Sequence, residues 1–283
     1  MKTAQMKRFS SARKLTLALG SSLLLAALAP AQAAVLYGVT GDGGIPSETL
    51  FTINQTTAAA TSFLTLGAGN DGEAIGFNPT DGFMYHASGI FAQIWESIDL
   101  SVPSVATSMP LVTVNENLAL TWNPSSGTFL MSNRDNNLFY STTAAGIATD
   151  IGSTPDDLKG LAFVGSTLYG AAAFTSTLYA LNPLDGAVLS SLGVSMAGFT
   201  VDGMNGLATD PDSGLLYGVV RTGSDRHLAT IDPLTGIASD IGVITGGSGW
   251  SGLAFGPAQI PEPGTLALLV FGLAGLRRGR RPQ

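Results

Sequence analysis

An all-β repeat fold is predicted for this chain of 283 residues on three observations. The chain contains 36 Gly and 14 Pro, which favours many turns over long helices. A short apolar phrase that ends near a Pro or Gly turn recurs five times. Further short strands lie between the copies, so that each period of about 45 residues holds four strands. This pattern is typical of propeller blades, and the sequence therefore predicts a five-bladed β-propeller.

The first strand of each repeat is marked by one aligned position. In chain order this position is Phe77, Trp122, Phe163, Thr209 and Phe255. The steps between them are 45, 41, 46 and 46 residues. Stretches such as 36–39, 50–53 and 237–241 supply the second, third and fourth strands. Turns such as 182–186 separate them, because Pro fixes φ at the first corner and Gly provides positive φ at the end.

The two ends of the repeat region complement each other. The first segment begins at Val35 and lacks a first strand, whereas the last segment, 252–257, is a first strand alone. We expect the three N-terminal strands to complete a blade with this C-terminal strand, which closes the ring and leaves no open sheet edge. An open β-solenoid is the alternative, but it would not need complementary ends.

The N-terminus has the pattern of a secretory signal peptide. Five basic residues precede an apolar run at 15–29, which is too short for a standard membrane-spanning helix. Ala31 and Ala33 form a small-x-small cleavage site. Residues 1–33 are therefore predicted to be a signal peptide that is removed next to Ala34, leaving a propeller domain at 34–258. An uncleaved N-terminal anchor is the alternative.

The C-terminus predicts a second targeting segment. A proline-rich hinge at 259–263 precedes a short hydrophobic helix at 264–276 and a basic tail at 277–283, which the positive-inside rule keeps cytoplasmic. The arrangement resembles the PEP-CTERM sorting signal of Gram-negative bacteria. The matching residues are Pro261, Glu262, Pro263, Arg277, Arg278, Arg280 and Arg281. An ordinary single-span C-terminal anchor is the alternative reading.

The resemblance implies a route for the protein rather than a chemistry for its body. It implies the export machinery and an exosortase-type sorting enzyme as partners, with transient anchoring in the inner membrane through 264–276. It also implies delivery to the cell surface or extracellular matrix of an organism that makes exopolysaccharide. Exopolysaccharide is accordingly one expected partner of the delivered domain.

Charge and composition exclude several classes of function. Between residues 34 and 260, four basic residues stand against 19 acidic ones, which gives this stretch a formal charge of −15. Such an acidic domain is not expected to bind nucleic acid. The chain has no Cys, which excludes disulfides, a thiol nucleophile and zinc–thiolate sites.

Acidic residues cluster just before the predicted first strands, at one mouth of the expected central channel. We call this set the acidic rim: Asp71, Glu73, Glu116, Asp157 and Asp202. Carboxylate oxygens suit a hard cation, so Asp71, Glu116, Asp157 and Asp202 are candidate ligands for Ca²⁺, although no cofactor is certain. The rim is equally a candidate site for sugar hydroxyls, with Trp250 beside it as a stacking residue.

Two other readings of the acidic rim remain open. A pair of carboxylates is the machinery of glycoside hydrolysis, so an extracellular carbohydrate-active enzyme is the alternative to a binding or structural module. Asp and Asn also commonly cap turns and stay solvated, in which case the rim has no ligand. The sequence assigns no catalytic residue.

Overall fold

The computed structural model describes residues 33–67, 73–90, 93–102, 104–111, 116–134 and 136–258. Asp71, nearly all of the predicted signal peptide and the predicted hinge, hydrophobic helix and basic tail lie outside these residues. The described part of the chain contains 21 β-strands and no helix. It therefore contains no helix long and apolar enough to cross a membrane.

The strands form five sheets, which are the five blades. Blade 1 contains β21 (Ser248–Gly256), β1 (Val35–Ile45), β2 (Thr49–Ile53) and β3 (Ala60–Thr65). Blade 2 contains β4 (Glu73–Asn78), β5 (Phe83–Ser88), β6 (Ile94–Asp99) and β7 (Ser104–Pro110). Blade 3 contains β8 (Asn117–Asn123), β9 (Thr128–Asn133), β10 (Leu138–Thr142) and β11 (Ala148–Ser153).

Blade 4 contains β12 (Leu158–Val164), β13 (Thr167–Ala172), β14 (Thr177–Leu181) and β15 (Val188–Gly193). Blade 5 contains β17 (Gly203–Thr209), β18 (Leu216–Thr222), β19 (Asp225–Ile231) and β20 (Ile237–Val243). A short strand, β16 (Ser195–Met196), pairs in parallel with β20, which the repeat pattern did not predict. The predicted all-β architecture of five blades is confirmed, with β16 as a fifth strand in blade 5.

The first strands β4, β8, β12, β17 and β21 contact one another in that order, and β21 contacts β4. They therefore surround one central axis. Glycines allow their close approach: a Cβ on Gly160 would lie 2.7 Å from the backbone nitrogen of Leu207. A Cβ on Gly206 would lie 3.0 Å from the nitrogen of Leu253. The small residues of the repeated phrase are thus required by the spacing of the inner strands.

The last strand of the described domain belongs to the first blade. β21 pairs antiparallel with β1, and the register places Leu36 opposite Phe255 and Tyr37 opposite Ala254. The pairing is irregular further along β1, where bulges follow Val39. β21 occupies the inner position that β4, β8, β12 and β17 occupy in the other blades.

The hydrophobic core is divided among five clusters, one at each junction between neighbouring blades. At the junction of blades 5 and 1, for example, Trp250 and Leu253 pack in one cluster with Val219 and Leu228. Inner strands are almost wholly buried, as in β17, whereas an outer strand such as β15 is mostly exposed. The apolar area buried between blades is therefore what holds the sheets around the axis.

Candidate functional site

The inner strands enclose a cavity of about 500 Å³ at their C-terminal ends, which we call the central cavity. Its wall repeats the aligned position of the sequence phrase once per blade. In chain order these residues are Phe77, Trp122, Phe163, Thr209 and Phe255. Four aromatic rings thus face one space, because each blade contributes the same position of its inner strand. Prolines that follow the strands line it further: Pro79, Pro124, Pro211 and Pro257.

The aromatic walls are partly accessible and held in place by neighbours. Phe77, Trp122 and Phe163 are only partly buried, and Phe255 is almost fully buried. Trp122 meets the buried ring of Phe129 edge-to-face, with 5.0 Å between ring centroids. Phe255 makes a similar contact with Tyr217 at 5.5 Å. Such edge contacts fix the orientation of the rings that face the central cavity.

A tyrosine anchors the wall of the central cavity at blade 1. The hydroxyl of Tyr37 donates a hydrogen bond to the carbonyl oxygen of Pro257 over 3.1 Å. Burial raises the pKa of the Tyr37 phenol to about 12. The hydroxyl therefore remains a donor at every physiological pH and holds the end of β21 against β1.

Among the described residues, the space between the inner strands narrows away from the central cavity. Towards the N-terminal ends of the inner strands, the space bounded by Leu120, Lys159, Leu161, Leu207 and Leu253 is too narrow to hold a water molecule. The four leucines are buried. The central cavity and the described rim residues Glu116, Asp157 and Asp202 therefore lie at opposite ends of the inner strands.

Glu116 of the acidic rim is committed to an ion pair. Its side chain is 1% exposed, and Arg134 donates from Nη1 to its Oε2 over 2.6 Å. The amide nitrogen of Arg134 also donates to the carbonyl oxygen of Glu116. Both contacts tie the start of β8 to the end of β9. The first of them engages the carboxylate that the sequence suggested as a cation ligand.

The other rim acids are less enclosed. Asp157 is half-buried, and its carbonyl oxygen accepts from the nitrogen of Ala173. Asp202 is exposed, and its Oδ2 accepts from the nitrogen of Gly223 over 2.6 Å, as a turn-capping carboxylate does. Glu73 begins β4, but its side chain, like Asp71, lies outside what the structure describes. Within the described ranges, no three His, Cys, Asp or Glu side chains form a group that would hold a metal ion.

Two tryptophans of the inner strands differ in how they face open space. Trp250 is 1% exposed and packs against Phe51 with 4.8 Å between ring centroids, so its ring faces the interior rather than the acidic rim. Trp122 is the tryptophan that faces an open space. In the sequence, Trp122 is the aligned position of the second copy of the repeated phrase. The recurrence of an aromatic residue at this aligned position was the available signal for the central cavity.

Comparison with known proteins identifies the C-terminal segment and the fold. Residues 259–281 match the model of the PEP-CTERM protein-sorting motif. No curated protein matches the chain. A chain of the crystallised nidogen–laminin complex is similar in fold, with a TM-score of 0.52 and 11% identity over 80% of this chain and 100% of that one.

A protein of unknown function from Bacteroides caccae is also similar, with a TM-score of 0.53 and 12% identity over 79% of this chain and 99% of that one. At such identities the likeness concerns the fold alone. The sorting motif implies an exported, surface-associated protein and an exosortase-type sorting partner. The chain is therefore a five-bladed β-propeller that carries a PEP-CTERM protein-sorting motif at its C-terminal end.

Proposed function

We propose that this protein is a binding module of the cell surface or extracellular matrix. Its central cavity binds the apolar faces of sugar rings in an exopolysaccharide. The observation that carries the proposal is the cavity of about 500 Å³ with its four aromatic rings. Ligand pockets typically have volumes of about 300–1,000 Å³ and apolar, aromatic walls with few polar groups. The delivery implied by the sorting motif would bring this cavity to the compartment where such polymers lie.

The lining favours a neutral ligand that is held by its faces. Phe77, Trp122 and Phe163 offer ring surface, whereas Thr209 and Asp212 are polar residues on the blade 5 side. A sugar ring has apolar faces and polar edges, which fits aromatic walls with a polar group on one side. The proposal therefore moves the sugar site from the acidic rim, where the sequence suggested it, to the opposite end of the axis.

Binding is favoured over cleavage because glycoside hydrolysis requires two carboxyl groups on either side of the scissile bond. Among the described residues that line the central cavity, Asp212 is the one acid. Its carboxylate already accepts a hydrogen bond from the backbone nitrogen of Ala34. The carbohydrate-active enzyme that the sequence left open therefore has less support here than a module that holds its ligand unchanged.

The test is a binding measurement with neutral and acidic oligosaccharides and with exopolysaccharide from the producing organism. Trp122→Ala should weaken binding at least about tenfold, because a central tryptophan typically contributes about 2 kcal/mol or more to an interface. Phe174→Ala is the matched control, since it removes an exposed aromatic ring that does not line the cavity. Circular dichroism would confirm that both variants fold.

Equal binding by the wild type and Trp122→Ala would contradict the proposal. A wild type that binds none of the saccharides tested would contradict it too. Cleavage products in the same assays would favour the enzyme instead. Binding that is lost in Phe174→Ala alone would place the ligand site outside the central cavity.

A further inference from the structure

The described chain begins at the edge of the central cavity, in contact with blade 5. The backbone nitrogen of Ala34 donates to Oδ2 of Asp212 over 2.9 Å. The side-chain amide of Gln55 donates to the carbonyl oxygen of Ala34 over 3.0 Å. Ala34 is thus held from two sides, by blade 1 through Gln55 and by blade 5 through Asp212. Both Ala34 and Asp212 line the central cavity.

Asp212 stands in a turn that recurs in other blades without a carboxylate at this place. In blades 2, 3 and 5 the first residue of the turn accepts from the backbone nitrogen two residues later. That later residue is Thr80, Ser125 and Asp212, respectively. The fold of the turn therefore does not require an acid here, and the acid occurs in the blade that meets the start of the chain.

The geometry of the turn directs this carboxylate outwards. Asp210 uses both of its carboxylate oxygens inside the turn, since Oδ1 accepts from the nitrogen of Asp212 and Oδ2 accepts from Ser213. The carboxylate of Asp212 instead reaches across the junction of blades 5 and 1 to the nitrogen of Ala34. Asp210 therefore shapes the turn, and Asp212 makes the contact between blades.

The donor of this hydrogen bond, the backbone nitrogen of Ala34, belongs to the predicted cleavage point. Ala31 and Ala33 form the small-x-small site, and Ala33 is exposed next to the bond in question. Hydrolysis by an export peptidase would add water across the Ala33–Ala34 amide. Ala33 would leave as a carboxylate, while the nitrogen of Ala34 would take up protons and become an ammonium group.

We propose that Asp212 is a built-in receptor for the N-terminus released by signal-peptide removal, so that cleavage converts an amide hydrogen bond into an ion pair between the Ala34 ammonium and the Asp212 carboxylate. The pair ties the first strand of the mature chain to blade 5 at the edge of the central cavity. The precursor makes this contact between blades through an uncharged donor, and cleavage makes the donor cationic. This inference does not depend on which ligand the central cavity binds.

The ion pair predicts a raised pKa for the α-amino group of Ala34. An adjacent carboxylate favours the charged form, so this pKa should exceed the ordinary value of about 7.7–8.0. The titratable groups that the structure places at this turn are Asp212, Asp210 and, through its interaction with Asp210, Tyr217. Blade 1 presents the uncharged amide of Gln55. Both carboxylates favour the charged form of the amine, so both raise the pKa of the α-amino group.

The experiment uses the full chain, expressed with its own N-terminal segment and purified after export. Mass spectrometry and N-terminal sequencing should find Ala34 first. Reductive ¹³C-methylation then labels two amines, the N-terminus and Lys159, because the sequence from residue 34 onward contains a single lysine. A pH titration of the methyl signals gives the pKa of the N-terminal amine directly.

The α-amine of the wild type should titrate above its ordinary range, and at least about half a pH unit above that of Asp212→Asn. Asp225→Asn is the charge-matched control in the same blade, and its amine should titrate as in the wild type. The melting temperature should fall between pH 7.5 and 9.5 by about 1–3 °C more in the wild type than in Asp212→Asn. An N-terminus other than Ala34, or an α-amine of the wild type within its ordinary range, would overturn the proposal.

Discussion

Arg134 neutralises Glu116 at the end of the axis opposite the central cavity, with 2.6 Å between Nη1 and Oε2. The two groups differ in environment, since the glutamate is 1% exposed and the arginine 37% exposed. A buried carboxylate requires compensation, and a half-exposed arginine can provide it without full desolvation of its own charge. Among the rim acids whose side chains the structure describes, the most enclosed one, Glu116, is therefore a structural element of blade 3.

Removal of the arginine should destabilise the fold. In Arg134→Met the carboxylate of Glu116 stays buried without its main counter-charge, and we expect a loss of about 1–3 kcal/mol in the free energy of unfolding. Chemical denaturation measures this loss. The double variant Glu116→Gln with Arg134→Met should recover part of it, and a single variant as stable as the wild type would contradict the role of the pair.

Calcium binding at the acidic rim is a separate hypothesis with its own prediction. If the rim holds Ca²⁺, a calcium concentration of 100 times the Kd should raise the melting temperature by roughly 5–10 °C. Asp71→Ala combined with Asp157→Ala should reduce this rise. Glu116→Gln should preserve most of it, because that carboxylate is already engaged by Arg134. If calcium does not change the melting temperature of the wild type, the hypothesis is wrong.

Because the inner strands approach closely, alanine substitutions at two glycines should differ sharply in their effect on stability. Gly160→Ala places a methyl group 2.7 Å from the nitrogen of Leu207, and backbone must move to admit it. We expect a loss of about 1–3 kcal/mol in the free energy of unfolding from this overpacking. Gly193→Ala is the matched control, because its Cβ would meet no atom within 4 Å. Thermal unfolding of both variants checks the difference, and equal stabilities would argue against the tight inner ring.

Stability should decrease at alkaline pH through Tyr37. Its phenol has a pKa of about 12 in the folded protein because it is buried, whereas an unfolded chain titrates near its ordinary value of about 10. Between these values the unfolded state has lost the proton that the native state keeps, so the free energy of unfolding falls as the pH rises. Burial also raises the pKa of Tyr179 and Tyr217, which act in the same direction.

The measurement is the melting temperature between pH 9 and pH 11.5. Tyr37→Phe should reduce its slope without abolishing it, since the other buried tyrosines still titrate. An unchanged slope would mean that the Tyr37 hydroxyl is exposed to solvent in the native protein.

The repeats could be predicted from the sequence because each blade repeats the same pattern of strand and turn residues. The spacing of Phe77, Trp122 and Phe163 defines the period, and a Gly with positive φ such as Gly186 ends a turn wherever it occurs. These patterns are local, so they predict strands and turns even when the neighbouring strands are not known. The number of blades and the four repeated strands in each followed from such signals, whereas β16 did not.

The candidate site was harder to predict because it depends on contacts between distant residues. Arg134 lies 18 residues after Glu116, and only the pairing of β8 with β9 brings them together. Whether Trp122 or Trp250 faces open space depends on which side of an inner strand points to the axis. The closed ring fixes which side of each inner strand points to the axis. The amino-acid composition does not predict it.

One ring, in which the last strand completes the first blade, frames the central cavity. Val35 and Gly256 are direct partners across β1 and β21. Partners in an antiparallel pair lie about 4.5–5.5 Å apart at Cα, within the range of about 4.4–6.8 Å that a disulfide requires. The natural chain has no Cys to compete with an introduced pair.

Disulfide formation in Val35→Cys with Gly256→Cys is therefore the most direct measurement. We expect spontaneous oxidation of the exported variant to a single intramolecular bridge. Bridge formation rather than melting temperature is the readout, because a Cβ at Gly256 would lie 2.8 Å from Cδ1 of Leu100. Val35→Cys with Ala254→Cys is the control, because these residues are diagonal rather than opposite and should oxidise poorly. Bridging of the diagonal pair instead, or thiols that stay free in both variants, would contradict the closed ring.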